Sequence, residues 1–198
     1  MNYCIVNINN TIENIIVCES EEIAKQLNAL PFYDGANIGD QYYPPFVKKL
    51  KISEIKQACE DYIYAGTDVT YEDGTVEHFT YNLADQSNIS EMFTAIMAGA
   101  TEFPYHADGE ICKVYTKAQI VTIYGTLSLF KAEATTYHNS LKAQVNAMTD
   151  DDEINAVQYH VTPLTGDYLD NYNAMMTSAQ TQLNAILAKI SSGETADA

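Results

Sequence analysis

Apolar side chains recur at steps of three and four residues over two long segments, and this spacing constrains the fold more than any other feature of the sequence. The spacing places such side chains along one face of an α-helix. It predicts a helix over residues 117–148 and a final helix over residues 167–190. The two apolar seams, one on each helix, consist of Ile120, Ile123, Leu127, Phe130, Tyr137, Leu141, Val145, Tyr172, Met176, Leu183, Ile186 and Ile190.

Each seam must be covered by protein, and two arrangements do this. In one, the two helices fold back as an antiparallel pair within one chain. In the other, one seam packs against further copies of the chain around a symmetry axis. The same stripe of side chains serves either arrangement, so the sequence predicts protein–protein contacts at the seams and leaves both interpretations open.

The first 45 residues are predicted to form a small β-rich module. Two β-prone runs, residues 3–8 and 12–17, flank Asn9-Asn10, which favours a tight hairpin because asparagine tolerates positive φ. A third short strand is expected over residues 41–43. The module is then expected to end at Pro44-Pro45, which forms a stiff linker.

A short helix is predicted between the hairpin and the third strand of this module. Ser20 favours a helix N-cap, and acidic residues follow it in the first turn. The buried face of the helix is expected to comprise Ile23, Leu27 and Leu30, and Pro31 stops it. The order of elements is then strand, strand, helix, strand.

The remaining residues, 46–198, are predicted to form a larger α+β body. Asp73-Gly74 and Asp108-Gly109 lie between β-prone runs and predict tight hairpins. The elements expected before the two long helices are a helix over 46–64, strands over 68–72 and 76–81, a helix over 85–98, and strands over 102–105 and 111–115. The fold class is therefore α+β, with an N-terminal β-hairpin and helix module over residues 1–45, then short hairpins and helices, and two long C-terminal helices at the end.

The charge of the chain limits its partners. Its formal net charge is −17, and all ten basic residues are lysines. Nucleic-acid binding needs a positive surface and commonly uses arginine, and an anionic membrane surface repels an acidic chain. We therefore expect no nucleic-acid partner and no membrane partner.

The four cysteines, Cys4, Cys18, Cys59 and Cys112, indicate the redox compartment. They form no C-x-x-C pair and lie in apolar or amphipathic stretches, which is typical of buried, reduced cysteines in a protein made in a cytoplasm. Cys4 and Cys18 could face each other across the hairpin, which leaves an adventitious disulfide open. We expect no signal peptide and no stretch long enough to span a membrane.

Residue types that carry catalysis or bind metals occur here without the spacing that such sites need. The four histidines show neither the i, i+4 nor the H-x-H spacing of zinc sites. His106 and Asp108 form an H-x-D pair, which the Asp-Gly turn explains better than a metal does. A nucleophile elbow, a phosphate-binding glycine loop and the ligand spacing of an EF-hand are absent from the sequence. We therefore expect no enzyme activity, no cofactor and no metal site.

Two parts of the sequence resemble proteins of phage and prophage tails. The opening is similar to a short N-terminal module of many such proteins, through Asn14-Ile15-Ile16-Val17-Cys18 and Asp34-Gly35-Ala36-Asn37-Ile38-Gly39-Asp40. A longer part resembles a domain of unknown function that is common in tail-fibre and baseplate-associated proteins. The residues that carry this second resemblance are Phe79-Thr80-Tyr81-Asn82, Asp85-Gln86-Ser87-Asn88-Ile89, Pro104-Tyr105-His106-Ala107-Asp108-Gly109, Cys112-Lys113-Val114-Tyr115, Thr135-Thr136-Tyr137-His138-Asn139 and Leu164-Thr165-Gly166-Asp167-Tyr168-Leu169-Asp170.

The resemblance implies a role in the virion or in its assembly, and no catalytic residue is transferred with it. We expect a structural protein of the tail, baseplate or tail fibre, located in the virion and in the host cytoplasm during assembly. Its expected partners are other tail, baseplate or fibre proteins. Tail symmetry implies a homo-oligomer, with a trimer as the first expectation. The alternative is a tail-fibre assembly chaperone that is not retained in the particle.

Overall fold

The computed structural model describes residues 1–33, 35–42 and 45–192, and its mixture of helices and short strands confirms the α+β class. The described residues form two compact units. The first unit contains Met1–Glu54 together with Val145–Val157, and the second contains Ile55–Gln144 together with the residues from Gln158 onward. The predicted boundary after residue 45 stays a prediction, and the compact unit around the first 45 residues also includes later segments of the chain.

A three-stranded antiparallel sheet organises the first unit. Strands β1 (Asn2–Val6) and β2 (Ile12–Val17) form the predicted hairpin, in which Asn10 adopts a φ of 62°. Strand β3 (Leu30–Pro31) pairs with the other edge of β1, so the strand order is β2-β1-β3. The third strand therefore lies earlier in the chain than predicted. Gln41 makes only an isolated bridge to Thr11, and residues 43 and 44 lie outside the described residues.

The short helix α1 (Glu21–Gln26) buries a different face from the one predicted. Ser20 caps it as expected, since its hydroxyl accepts a hydrogen bond from the Ile23 amide. Ile23 and Leu27, however, are 41% and 53% exposed, and Leu30 is exposed as well. Ala24 faces the sheet instead and packs with Tyr3, Cys18 and Ala29. Ile23 and Leu27 do lie on one face of the helix. The prediction that this face is buried was wrong, because Ala24 is on the side that contacts the sheet.

Helix α5 (Asp151–Ala156) belongs to the same unit and begins within the acidic run of residues 150–153. Asp150 caps it by accepting a hydrogen bond from the Glu153 amide at 2.9 Å. Lys51 is buried, and its ammonium group donates to the carbonyl of Val157 at 3.0 Å and lies 2.7 Å from the Glu54 carboxylate. A buried charge is tolerated because it is paired and hydrogen-bonded.

The other elements lie close to their predicted positions. They are α2 (Pro45–Ala65), β4 (Thr67–Thr70), β5 (Val76–Phe79), α3 (Leu83–Met97), β6 (Glu102–Tyr105), β7 (Lys113–Thr116), α4 (Lys117–Ala147) and α6 (Gly166–Ser192). Strands β4 and β5 form one two-stranded antiparallel sheet, and β6 and β7 form another. Residues 193–198, which include most of the polar tail that the sequence ends on, lie outside the described residues.

Gly66 shows why α2 ends where it does. Its φ is 77°, a left-handed conformation that stops the helix at little cost only for glycine. A Cβ atom at this position would lie 1.8 Å from the carbonyl oxygen of Phe79, so no larger residue fits without moving strand β5.

The core of the second unit lies where the two hairpins, α3 and α4 meet. Its fully buried side chains include Val69, Phe79, Ile89, Tyr115, Ile120, Ile123 and Leu127. All four cysteines are free thiols. Cys4, Cys18 and Cys59 are buried as predicted, but Cys112 is exposed because it lies in the loop between β6 and β7, one residue before the strand begins. No described helix combines the length and apolarity needed to cross a membrane.

Candidate interaction surface

The apolar seam of α4 is covered by this chain's own fold. Six of its seven members are buried, namely Ile120, Ile123, Leu127, Tyr137, Leu141 and Val145. The seventh, Phe130, is half-buried, and its ring centroid lies 4.8 Å from that of Tyr62 on α2. Side chains without exposed surface are not accessible to another molecule, so this seam stabilises the single chain.

The seam of α6 is covered much less completely. Leu183 is buried, whereas Tyr172, Met176 and Ile190 are half-buried and Ile186 is 39% exposed. Leu183 is also the only buried residue among those of α6 whose side chains are described. Much of the surface of α6 is therefore accessible to solvent or to a partner.

Contacts between α4 and α6 show that the two helices run antiparallel within one chain. Near one end, the Gln144 side chain accepts a hydrogen bond from the Thr165 amide at 3.0 Å. Further along, the Tyr172 hydroxyl donates to Glu133 at 3.0 Å. Gly125 lies next to Leu183, which is 3.6 Å from where a Cβ of Gly125 would be. Residue numbers rise along α6 as they fall along α4, which is the first of the two arrangements that the sequence left open.

An aromatic cluster holds the loop before α6, and the sequence did not predict it. The His160 ring stacks between Tyr62 and Tyr137, with centroid distances of 4.5 Å to each. His160 has a φ of 58°, and its Nε2 lies 3.5 Å from the Glu133 carboxylate. The Tyr159 hydroxyl donates to the carbonyl of Ala134 at 2.9 Å. Because these residues lie on three separate segments, no local pattern in the sequence indicates that they meet.

A polar network joins three of the segments that carry the second resemblance, namely residues 79–82, 85–89 and 104–109. Helix α3 begins with a capping box, in which Asn82 accepts from the Asp85 amide and Asp85 accepts from the Asn82 amide. The Thr80 hydroxyl lies 3.0 Å from an oxygen of Asp85 and 3.0 Å from one of Asp108. The Tyr105 hydroxyl donates to the other oxygen of Asp85 at 3.3 Å. Asp85 therefore caps α3 and links it to Tyr105 on β6.

Glu77 links the two hairpins through a second set of hydrogen bonds. One of its carboxylate oxygens accepts from the hydroxyls of Tyr71 and Tyr115, at 2.9 Å each, and the other accepts from Lys113. Burial disfavours the ionised form of Glu77, but these three donors outweigh it and lower the pKa of the carboxyl group. Burial, followed by the neighbouring carboxylate, raises the pKa of both tyrosines.

The histidines are dispersed within the described residues. His78 is exposed on β5, with its ring nitrogens 2.7 Å from Asp68 and 2.9 Å from the carbonyl of Ala65. His106 Nδ1 lies 3.1 Å from the carbonyl oxygen of its neighbour Ala107, to which it donates, and His138 is half-buried in α4 with its pKa lowered by burial. The described part of the chain contains no group of three or more histidine, cysteine or acidic residues arranged to hold a metal ion.

Charge is distributed unevenly along the chain, and this distribution is a signal of the surface that periodicity does not contain. Helix α4 contains three lysines and one glutamate, and α6 contains two aspartates and one lysine. These two helices are thus close to neutral in a chain whose net charge is −17. Residues 171–188 of α6 include no Asp, Glu, Lys, Arg or His at all.

A groove of about 500 Å³ follows this uncharged part of the α4–α6 pair. We call it the α4–α6 groove. Its walls contain no acidic residue, lysine or histidine, and they combine small side chains with amides and hydroxyls. The lining residues are Thr136, Asn139, Ser140 and Ala143 from α4, and Tyr168, Asn171, Met175, Ser178, Ala179 and Gln182 from α6. None of the twelve predicted seam residues is among them.

Comparison with known proteins identifies a family and nothing more specific. A family model described as a domain of unknown function (DUF4376) matches residues 46–159. No curated protein and no solved structure matches the chain.

Proposed function

The chain belongs to the DUF4376 family, whose domain has no assigned function, and we propose that it is a structural protein of a tailed bacteriophage. In this proposal it is associated with the tail, baseplate or tail fibre and works through protein–protein contacts rather than catalysis. Its partners are other tail, baseplate or fibre proteins and further copies of itself. It is retained in the virion after assembly in the host cytoplasm.

The observation that carries an assembly role is the uncovered, uncharged surface of α6. Met175 is 48% exposed and Ile186 is 39% exposed, in a stretch of helix without a single charged side chain. A solvated helix surface ordinarily carries charged residues, and depletion of charge together with exposed apolar groups is typical of a surface that contacts protein. The resemblance to tail-associated sequences supports the virion as the setting of that contact.

The titratable groups with the most contacts support a role without catalysis. The Glu77 carboxylate is occupied by three donors from two hairpins. Asp85 accepts from the Asn82 amide and the Tyr105 hydroxyl, and Asp108 accepts from the Thr80 amide. His78 is held between Asp68 and a backbone carbonyl. Each of these groups joins elements of the fold to one another. The α4–α6 groove contains no general acid or base other than the hydroxyl of Tyr168.

Mass spectrometry of purified particles tests the proposal. Particles of the phage that encodes this chain are separated from host lysate on a density gradient, and the proteins of the particle band are identified. We expect the chain in that band at a level comparable to known tail proteins. Presence in the lysate with absence from the particles contradicts the proposal and favours the fibre-assembly chaperone instead.

Deletion of the coding sequence provides a second test. We expect particles with incomplete tails or without fibres in electron micrographs, and restoration of complete tails when the gene is supplied on a plasmid. Deletion particles that are complete and infectious would contradict a structural role in the tail.

A further inference from the structure

We propose that the α4–α6 groove binds helix α6 of a second copy of this chain. This inference rests on the proposed assembly function and names one partner and one face for it. The groove extends from Tyr168 to Gln182 along α6, which is about four helical turns or ~21 Å at the rise of an α-helix. It is therefore long enough to hold several turns of another helix.

The absence of charge indicates what kind of partner fits. None of the ten lining residues is acidic or basic, although the chain has 27 acidic and 10 basic residues. Charge complementarity would favour a positively charged partner for this acidic chain, and the groove has no acidic residue to attract one. A second copy has the opposite requirement, because any charged face that meets its own counterpart repels it. A neutral face is where two chains of charge −17 approach each other with the least repulsion.

The side chains around the groove fit a helix as its occupant. Ser178 and Ala179 are small, so the backbone of a second helix can approach α6 to the ordinary interhelical distance of about 8–10 Å. Met175 projects from the middle of the groove and is 48% exposed. Ile186 continues the same face one turn beyond Gln182 and is 39% exposed. These two apolar side chains lose water on docking, and the flexible methionine adapts to the surface that it meets.

The same residues lie on both sides of such a contact. Helix α6 of one copy presents Met175, Ser178 and Gln182, and it meets the groove that those residues line in the other copy. The contact closes as a pair about a two-fold axis or as a ring of three about a three-fold axis. Amide side chains such as Asn171 and Gln182 can donate and accept across it, which allows polar residues to be buried without a charge.

Light scattering of the purified full-length chain over a range of concentrations tests the proposal. We expect a mass of two or three chains that dissociates on dilution. Higher salt should favour association, because it screens the repulsion between acidic copies over distances beyond about 8 Å at physiological ionic strength. A single-chain mass at every concentration and salt level overturns the proposal.

Two charge substitutions on α6 test whether the contact between copies is made by the groove or by another face of the helix. Ser178→Glu places a carboxylate in the groove, and Asn184→Glu places one on the opposite side of the same helix, where Asn184 is exposed. We expect S178E to raise the dissociation constant about tenfold or more and N184E to leave it near the wild-type value. Equal effects of the two substitutions overturn the assignment of the contact to the groove.

Cysteine cross-linking detects the contact directly, whereas the charge substitutions detect it through a loss of association. Cys112 is the exposed native cysteine among the four, so Cys112→Ser provides the background. Met175→Cys in this background should form a disulfide-linked dimer under mild oxidation, whereas Asn184→Cys should not. Efficient cross-linking at Asn184 with none at Met175 overturns the proposal.

The outcomes for this contact and for the proposed function are independent. A strictly monomeric chain that is nonetheless present in stoichiometric amounts in particles overturns the self-contact and leaves the virion role standing. Groove-dependent association of a chain that is absent from particles supports the self-contact and contradicts the virion role.

Discussion

Thr80 and Asp108 are joined at two points although 28 residues separate them in the chain. The Thr80 amide donates to Oδ2 of Asp108 at 3.0 Å, and the Thr80 hydroxyl lies 3.0 Å from Oδ1. The Asp108 amide in turn donates to the carbonyl of His78 at 2.9 Å. The loop after β6 is therefore fixed to the end of β5 by Asp108, which adds to the link that Glu77 makes between the two hairpins.

Replacement of Asp108 by alanine should destabilise the protein by about 1–3 kcal/mol, because it leaves the partly buried Thr80 amide without its acceptor. Asp73→Ala is the matched control, since Asp73 lies at the other Asp-Gly turn and accepts from Thr75, an exposed residue of that same turn. Urea unfolding followed by circular dichroism gives both values. Equal losses for the two substitutions would show that the link between the hairpins contributes nothing beyond a local turn.

His78 should make the stability of the protein depend on pH. Both of its ring nitrogens lie against acceptors, Asp68 Oδ1 and the Ala65 carbonyl, so the geometry fits the doubly protonated ring. The hydrogen bond to Asp68, followed by that to Ala65, raises the pKa of His78. A raised pKa in the folded state stabilises the fold fully below the unfolded value of about 6.5. This contribution is lost as the pH rises through the folded pKa.

His78→Gln removes this titration while keeping a polar side chain at the same place. We expect the free energy of unfolding of the wild type to fall relative to that of H78Q as the pH rises above about 6.5. Comparison of the two proteins cancels the contributions of the other histidines. Parallel pH profiles would contradict the protonated state that the two acceptors imply.

Glu77→Gln should destabilise the second unit by about 1–3 kcal/mol. A glutamine amide offers one oxygen, which cannot replace the two that accept from Tyr71, Tyr115 and Lys113. Glu72→Gln is the control, because Glu72 is exposed in the same hairpin. Denaturant unfolding at pH 7 gives the free energy of unfolding of both variants. An E77Q variant as stable as E72Q would contradict the stabilising role of the Glu77 carboxylate.

Lower pH should reduce the difference in the free energy of unfolding between the wild type and E77Q. The pKa of Glu77 is lowered in the folded state, so its ionised form stabilises the fold above the unfolded pKa of about 4.3. That contribution is lost as the pH falls through the folded pKa. The stability difference between wild type and variant, measured between pH 7 and pH 3, should therefore shrink toward the acid end. A difference that is constant over this range would contradict the role assigned to the charge.

His160→Asn should loosen the loop before α6. Asparagine tolerates the positive φ of this position, so the substitution removes the stacking on Tyr62 and Tyr137 without straining the backbone. Two ring contacts of this kind contribute about 1–3 kcal/mol together. We expect a loss of stability in that range and a weaker near-ultraviolet circular dichroism signal from the tyrosines. Val161→Ala, at an exposed neighbouring side chain, should change neither, and identical results for the two variants would contradict the stacking account.

The sequence predicts elements well where the physics that forms them is local. The period of the apolar residues locates α4 and α6 within about two residues of their ends, because a helix repeats over a few positions. Asp73-Gly74 and Asp108-Gly109 predict their hairpins because a tight turn depends on the residues in it. The pairing partner of β1 was misplaced, since Leu30 and Gln41 are both compatible with a strand and only the packing of the whole unit decides between them.

The location of the candidate surface could not be predicted from the period of the apolar residues alone. The seam residues were recognised as contact residues, but whether Leu127 or Leu141 contacts its own chain follows only from how the other elements pack around α4. The α4–α6 groove lies on the side of that pair which the seams do not occupy. The signal that indicates it in the sequence is the uncharged run over residues 171–188, which becomes meaningful beside the acidity of the rest of the chain. His160 could not be placed because its partners Tyr62 and Tyr137 come from distant segments.

The number of copies in each finished particle tests the central claim most directly. Trypsin cleaves after Lys117, Lys131 and Lys142 and releases two peptides from α4, residues 118–131 and 132–142. Isotope-labelled forms of both peptides, added to a digest of gradient-purified particles, give the amount of the chain relative to a tail protein of known copy number. The account predicts a fixed whole number of copies per particle, and three or a multiple of three for a trimeric component of the tail. Fewer than one copy per particle in the purified fraction, with abundant chain in the host lysate, would contradict it.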